Sequence, residues 1–150
     1  MIVLGISLGT RTTGIAVLRH RELLEYRTLT IRAAETHKQA ATIARYIMQY
    51  RIVMVVIKIP PLSHLTEKLR KMLKSFASLF EYHGCMVQYK DTEAIKRQIP
   101  TIRNKEGLIR FVSETYTVLS PVQARHSANK QNYHYKMFEA VAAAHLYSDK

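Results

Sequence analysis

The chain has little cysteine, little aspartate and no long apolar segment. Cys85 is its single cysteine, which excludes an intrachain disulfide and a cysteine-based zinc site. Its two aspartates are Asp91 and Asp149, so carboxylates for a metal cluster are scarce. No apolar run approaches the roughly 20 residues of a membrane span. The first residues lead into a predicted strand, without the charged and apolar regions of a secretion signal. We therefore expect a cytoplasmic protein that does not enter a membrane.

Positive charge, by contrast, is abundant. The chain has 23 lysines and arginines against 11 acids, which gives a net charge of +12. Such an excess repels itself and usually serves a polyanionic partner. Nucleic acid is the first candidate, an anionic membrane surface is the second, and a basic surface without a partner is the third. The 150 residues, 47% of them hydrophobic, fit one domain that covers residues 1–150.

Apolar periodicity predicts three strands, followed by helices that alternate with two further strands. The predicted strands cover residues 2–8, 12–18, 23–31, 52–59 and 85–89. The predicted helices cover roughly residues 35–50, 63–83, 91–98, a segment around 108–112 and residues 135–147. Ser63 is the expected N-cap and Gly84 the expected stop of the second helix. Residues 120–133 are polar and basic without a clear period, which predicts a loop. This order predicts an α/β fold with a mixed five-stranded sheet, first antiparallel and then parallel, and helices on both faces.

Four segments appear in an order that is typical of one protein family. They are "LGISLGTRTTGIAVL", "VVIKIP", the pair "QYKDTEAIKRQI" and "NKEGLIRFV", and "YKMFEAVAAAHLY". They resemble the motifs of the RNase H-like superfamily, and most of all those of the RuvC and YqgF group of Holliday junction resolvases. In that group the first segment carries an aspartate before a Gly-Ser/Thr turn. The second segment ends in a glutamate, and the last helix begins with two acids three residues apart.

The resemblance implies a centre that has lost most of its acids. The family's four acidic positions correspond to Ser7, Lys58, Lys136 and Glu139, of which only Glu139 is acidic. In the family's chemistry, two Mg²⁺ ions about 4 Å apart clamp the oxygens of a phosphodiester, and carboxylates hold both ions. A lysine at position 58 or at position 136 would repel a metal ion, because both carry positive charge. The resemblance therefore implies no cofactor, or Mg²⁺ or Mn²⁺ if catalysis is retained.

Three functions remain open at this stage. The first is a resolvase-like protein that binds branched DNA or structured RNA without ordinary two-metal nuclease activity. Its candidate contacts are Thr10, Arg11, Thr12, Lys58, Arg125, Lys130, Tyr133 and Lys136. The second is an active structure-specific endonuclease of recombination or repair, with a rearranged site of Glu139, Asp91 and Glu93. The third is a non-enzymatic assembly partner, with a homodimer as one form.

Each candidate also has a purely structural explanation. Ser7 is small enough to fill a crowded central strand. Lys58, at the end of a buried strand, needs either an ion pair with Glu139 or a phosphate. Lys136 and Glu139 fit a solvated pair on one helix. The basic segment 125–136 fits a solvated loop, although its tyrosines can stack on unpaired bases.

Overall fold

The computed structural model of the chain describes residues 1–30, 36–129 and 133–148. It confirms the predicted α/β fold: five strands form one mixed sheet, and helices cover both faces. The strands are β1 (Ile2–Ser7), β2 (Thr12–Arg19), β3 (Glu22–Thr30), β4 (Met54–Lys58) and β5 (Met86–Lys90). The helices are α1 (Thr36–Tyr50), α2 (Glu67–Tyr82), α3 (Thr92–Gln98), α4 (Lys105–Thr115), α5 (Ser120–Asn129) and α6 (Tyr135–Ser148). None of these described helices is long and apolar enough to cross a membrane.

Strand β1 lies at the centre of the sheet, whose order is β3-β2-β1-β4-β5. It pairs antiparallel with β2 and parallel with β4. Its last residue, Ser7, lies opposite Gly14 of β2 and opposite Lys58, the last residue of β4. Because the carboxyl ends of parallel strands share one edge of the sheet, this register brings Ser7 and Lys58 together at the edge where α/β folds commonly bind ligands.

Alternation along the strands determines which residues face α6. Val3 of β1 and Val56 of β4 belong to the core that α3, α4 and α6 complete. Leu4 and Val55, one residue away on each strand, belong to the core beneath α1 and α2. Since side chains alternate between faces with a period of two, Ser7 and Lys58 share the α6 face.

Helix α6 packs directly on glycines of β1 and β2. A Cβ on Gly5 would overlap the carbonyl of Ala140, and a Cβ on Gly14 would overlap the carbonyl of Lys136. Because glycine has no side chain, the helix backbone can approach the sheet closely at these two residues. This contact places the first two turns of α6 over the carboxyl ends of β1 and β4.

Two local predictions are wrong. Residues 120–129 form helix α5 rather than a loop. Pro121 is its second residue, a position that suits a helix start, and Val122 is buried in the core. The N-cap of α2 is Thr66, whose Oγ1 accepts a hydrogen bond from the Leu69 amide at 3.2 Å. The expected cap, Ser63, lies instead in a short 3-10 turn before it.

Candidate nucleic-acid interface

Glu139 forms the centre of a buried polar cluster at the carboxyl end of β1 and β4. Its Oε1 accepts a hydrogen bond from Ser7 Oγ at 3.1 Å and lies 3.1 Å from Lys136 Nζ. Its Oε2 lies 2.7 Å from Lys58 Nζ. The Lys58–Glu139 ion pair, one of the two explanations offered for Lys58, is therefore present. The Lys136–Glu139 pair, the structural alternative for these two residues, is also present, but its carboxylate is buried rather than solvated, since Glu139 is 3% exposed.

The cluster carries an excess of positive charge. It contains two ammonium groups and one carboxylate, and the Lys58 side chain is only 5% exposed. Removing a charge from water is costly unless an opposite charge or hydrogen bonds compensate it. One positive charge in this cluster has no carboxylate of its own, so an anionic oxygen at this point would complete the charge balance.

A cavity of about 990 Å³ opens beside the cluster. The described residues that line it include five cations and a single carboxylate, that of Glu139. The cations are Arg11, Lys58, Lys96, Lys105 and Lys136. Lys105 is also the first residue of α4, so the positive end of that helix dipole borders the same space. Charge and helix direction together favour an anionic occupant.

Part of the cavity lining is apolar and aromatic, and we call this part the Tyr135 wall. Ile95, Ile102 and Leu108 line it and are nearly inaccessible to solvent. Tyr135 lines it as well, and Lys105 Nζ lies 5.0 Å from the centroid of its ring. Burial, and secondarily the nearby Glu139 carboxylate, raise the pKa of the Tyr135 phenol, so this group stays uncharged. The cavity lining thus combines five cations with the Tyr135 wall, and Lys105 lies against that wall.

The residues just before α6 lie at the rim of the cavity, against the edge strand β3. Tyr133 Oη lies 3.2 Å from Thr30 Oγ1, and both residues line the cavity. His134 Nδ1 lies 3.2 Å from Thr28 Oγ1. These two side-chain hydrogen bonds fix the turn that leads into α6, and with it the position of Lys136.

The structure brings together most of the residues predicted to contact nucleic acid. Thr10, Arg11, Thr12, Lys58, Tyr133 and Lys136 all line the cavity. Arg125 is exposed on α5 and is not among the described lining residues, and Lys130 lies outside the described residues. That these residues bind nucleic acid stays a prediction.

The sequence reasoning missed Lys96 and Lys105 as site residues. Both belong to the two segments that follow β5 and resemble the family's motifs there. A usable signal existed, because the elements that follow parallel strands meet at the carboxyl edge of the sheet.

The residues at this edge do not fit a two-metal centre. Both oxygens of Glu139 already interact with ammonium or hydroxyl groups. Asp91 caps α3, since its Oδ1 accepts a hydrogen bond from the Ala94 amide at 2.8 Å. Glu93 is solvent-exposed and lies 3.8 Å from Lys96 Nζ. In the described part of the chain, no three His, Cys, Asp or Glu residues form a group suited to a metal ion.

Comparison with known proteins finds similarity in structure only. No protein-family model matches the chain, and no curated protein sequence matches it. The chain is similar in structure to Thermus thermophilus RuvC, both alone and in complex with a Holliday junction substrate. The TM-score is 0.75 and the sequence identity is 16%, and the match covers 99% of this chain and 94% of the RuvC chain. The fowlpox virus Holliday junction resolvase is similar with a TM-score of 0.55 and 14% identity, over 95% and 94% of the two chains.

Proposed function

We propose that this protein binds nucleic acid without a metal ion. The proposal rests on an RNase H-like resolvase fold that carries a Lys-Glu-Lys cluster in place of an acidic centre. Its substrates would be branched DNA or structured RNA, held mainly through their phosphates. The similar RuvC and fowlpox structures include complexes with Holliday junction DNA, which supports testing a four-way junction first.

The cationic cavity is the observation that carries this proposal. Phosphate contacts from lysine and arginine provide most of the affinity of proteins for nucleic acid. The cavity presents five such side chains around one carboxylate. The carboxylate is itself neutralised by Lys58 and Lys136, so it does not repel a phosphate that approaches.

The same cluster argues against ordinary two-metal cleavage. Two Mg²⁺ ions require several hard oxygen ligands, and carboxylates supply most of them in proteins. Here the Lys58 ammonium lies 2.7 Å from Glu139, the one acid matched to the family's motif. A metal ion would have to displace that ammonium and then remain beside it.

Paired binding and cleavage gels test both halves of the proposal. Labelled four-way junction, duplex and single-stranded DNA and RNA are incubated with Mg²⁺, with Mn²⁺ or with EDTA. We expect shifted bands in all three conditions, weaker with the divalent ions because these compete for the phosphates, and no cleavage products. Products that disappear in EDTA would show an active nuclease with a rearranged site, and the absence of any shift would favour an assembly partner.

A matched pair of double variants tests where the nucleic acid binds. Lys96→Gln with Lys105→Gln removes two positive charges from the cavity. Lys71→Gln with Lys74→Gln removes two from the exposed side of α2, whose apolar side packs on the other face of the sheet. We expect the cavity variant to weaken junction binding about 10- to 100-fold at low salt and the α2 variant to change it little. Equal losses would mean that binding depends on overall charge rather than on the cavity.

A further inference from the structure

The cavity is larger than phosphate binding alone requires, and its lining is chemically more varied. Its volume of about 990 Å³ lies near the upper end of the roughly 300–1,000 Å³ that is typical of small-molecule sites. Lys58, Lys136 and the turn at Thr10 form its cationic end. Tyr135 and Leu108 belong to its Tyr135 wall, against which Lys105 lies. A site that contacted only a sugar-phosphate backbone would have no use for this wall.

We propose that the cavity holds one unpaired nucleotide unit, with its phosphate at the Lys58–Lys136 end and its base against the Tyr135 wall. This inference rests on the proposed function and specifies what the site recognises. It adds a contact with the base to the contacts with phosphate.

The wall has the chemistry that a base requires. Nucleobases stack on aromatic rings regardless of their sequence, because every base has a π face. Tyr135 packs against the core cluster that contains Ile95, Ile102 and Leu108, and this packing supports the ring beside the cavity. The uncharged Tyr135 phenol does not repel the phosphate of the same nucleotide.

Lys105 provides a link between the two ends. In this structure, the Lys105 ammonium lies over the Tyr135 ring, although Lys105 as a whole is exposed to solvent. A lysine with four flexible methylene groups can move from the ring toward a phosphate. We therefore expect the base to replace the ammonium on the ring while Lys105 contacts the adjacent phosphate.

The nucleotide unit has two sources, a free nucleotide and an unpaired position within a strand. A paired nucleotide must first leave its stack, and this costs least at a mismatch, a branch point or a single strand. We therefore expect single-stranded and branched substrates to bind more tightly than an intact duplex of equal charge.

Removing bases while keeping phosphates tests this inference directly. Anisotropy titrations compare a single-stranded oligonucleotide with one of equal length in which every base is replaced by an abasic tetrahydrofuran site. We expect the abasic strand to bind about 10-fold or more weakly. Tyr135→Leu should reduce that ratio toward one, whereas Tyr82→Leu, on the exposed surface of α2, should leave it unchanged. Calorimetry with a nucleoside monophosphate then tells whether the free nucleotide suffices or a strand is required.

The outcomes separate this inference from the proposed function. If the intact and abasic strands bind equally well, the inference is wrong and the proposed function stands. If neither strand nor any junction binds, the proposed function fails as well. A strand that contains 2-aminopurine tests the same contact in the unmodified protein, since its fluorescence changes when the base leaves its neighbours in the strand and contacts Tyr135. Binding without any change in fluorescence would overturn the inference even if Tyr135→Leu did not fold.

Discussion

Glu139 determines the chemistry of the site at the scale of single residues. It is buried, and it interacts with Ser7, Lys58 and Lys136 at once. A buried ion pair often contributes little to stability compared with an apolar pair, but removing one partner leaves the other charge uncompensated. Single and double substitutions at Glu139 and Lys58 should therefore have very different effects.

Glu139→Gln should lower the free energy of unfolding by about 3–5 kcal/mol, because it leaves Lys58 buried without a counter-charge. The double variant Lys58→Met with Glu139→Leu should be close to the wild type in stability. Urea unfolding followed by circular dichroism measures both. Glu67→Gln, which alters an exposed pair with Lys71, is the control and should change stability by less than about 0.5 kcal/mol. A double variant as unstable as the single one would contradict this account of the cluster.

Asp91 shows how a candidate catalytic acid can have a structural role. Its carboxylate caps α3, and asparagine caps a helix about as well as aspartate does. Asp91→Asn should therefore preserve both stability and nucleic-acid binding, while Asp91→Ala should cost about 1 kcal/mol. Thermal unfolding and the gel assay measure the two effects. Metal-dependent cleavage that Asp91→Asn abolished would instead assign Asp91 a catalytic role.

At the scale of elements, the contact between α6 and the glycines of β1 and β2 builds the site. The helix delivers Lys136 and Glu139, β1 delivers Ser7, and β4 delivers Lys58. Gly9, just after β1, extends this contact, since a Cβ there would come within 2.8 Å of Lys136 Cε. A change in the distance between α6 and the sheet would therefore disturb the cluster as well as the core.

Gly14→Ala should destabilise the protein by about 3 kcal/mol or more, because the new methyl group would force α6 away from the sheet. Nucleic-acid binding should weaken as well, since Lys136 moves with the helix. Gly107→Ala is the matched control. It lies within α4, where alanine is favoured, and its nearest neighbour would be Asn104 Oδ1 at 3.2 Å. We expect it to change stability by less than about 1 kcal/mol, and equal effects of the two substitutions would contradict the packing argument.

At the scale of the whole molecule, the net charge is +12, and five of the 23 lysines and arginines line one cavity. If all five lining cations neutralise phosphates, the logarithm of the association constant should fall with the logarithm of salt concentration with a slope of about −4.5. Fluorescence anisotropy with a labelled four-way junction measures the slope. The titrations are repeated at salt concentrations from about 50 mM to about 300 mM. A slope near zero would show that the binding is not governed by phosphate contacts.

The predicted homodimer also belongs to this scale and stays a prediction. Sedimentation equilibrium at low and high salt would give the mass of the particle, for which a single chain is 17.3 kDa. A mass twice that value would support an isologous pair, whose two cavities could then engage two arms of one junction. A monomer at all concentrations would limit each protein to one site.

Periodicity predicted the fold well where burial is strong. The strands β1 and β4 are apolar along almost their whole length, and α2 carries a clear apolar stripe. Prediction failed at residues 120–129, because α5 lies on the surface and Val122 is its main buried residue in the described part. A helix with so narrow a buried side leaves little periodic signal. The cap at Thr66 was missed because both Ser63 and Thr66 can cap a helix, and the short 3-10 turn Leu62–His64 occupies the position of the first candidate.

The sequence alone determined the sign of the charge, the shortage of acids and the order of strands and helices, because composition and periodicity are properties of the chain itself. It also placed lysines where the resembling family has acids. Only the tertiary structure decided that Lys96 and Lys105, distant in sequence from Lys58 and Lys136, line the same cavity. It likewise decided that Glu139 is bound by Ser7 and two lysines, because such contacts depend on how closely α6 packs on two glycines of the sheet.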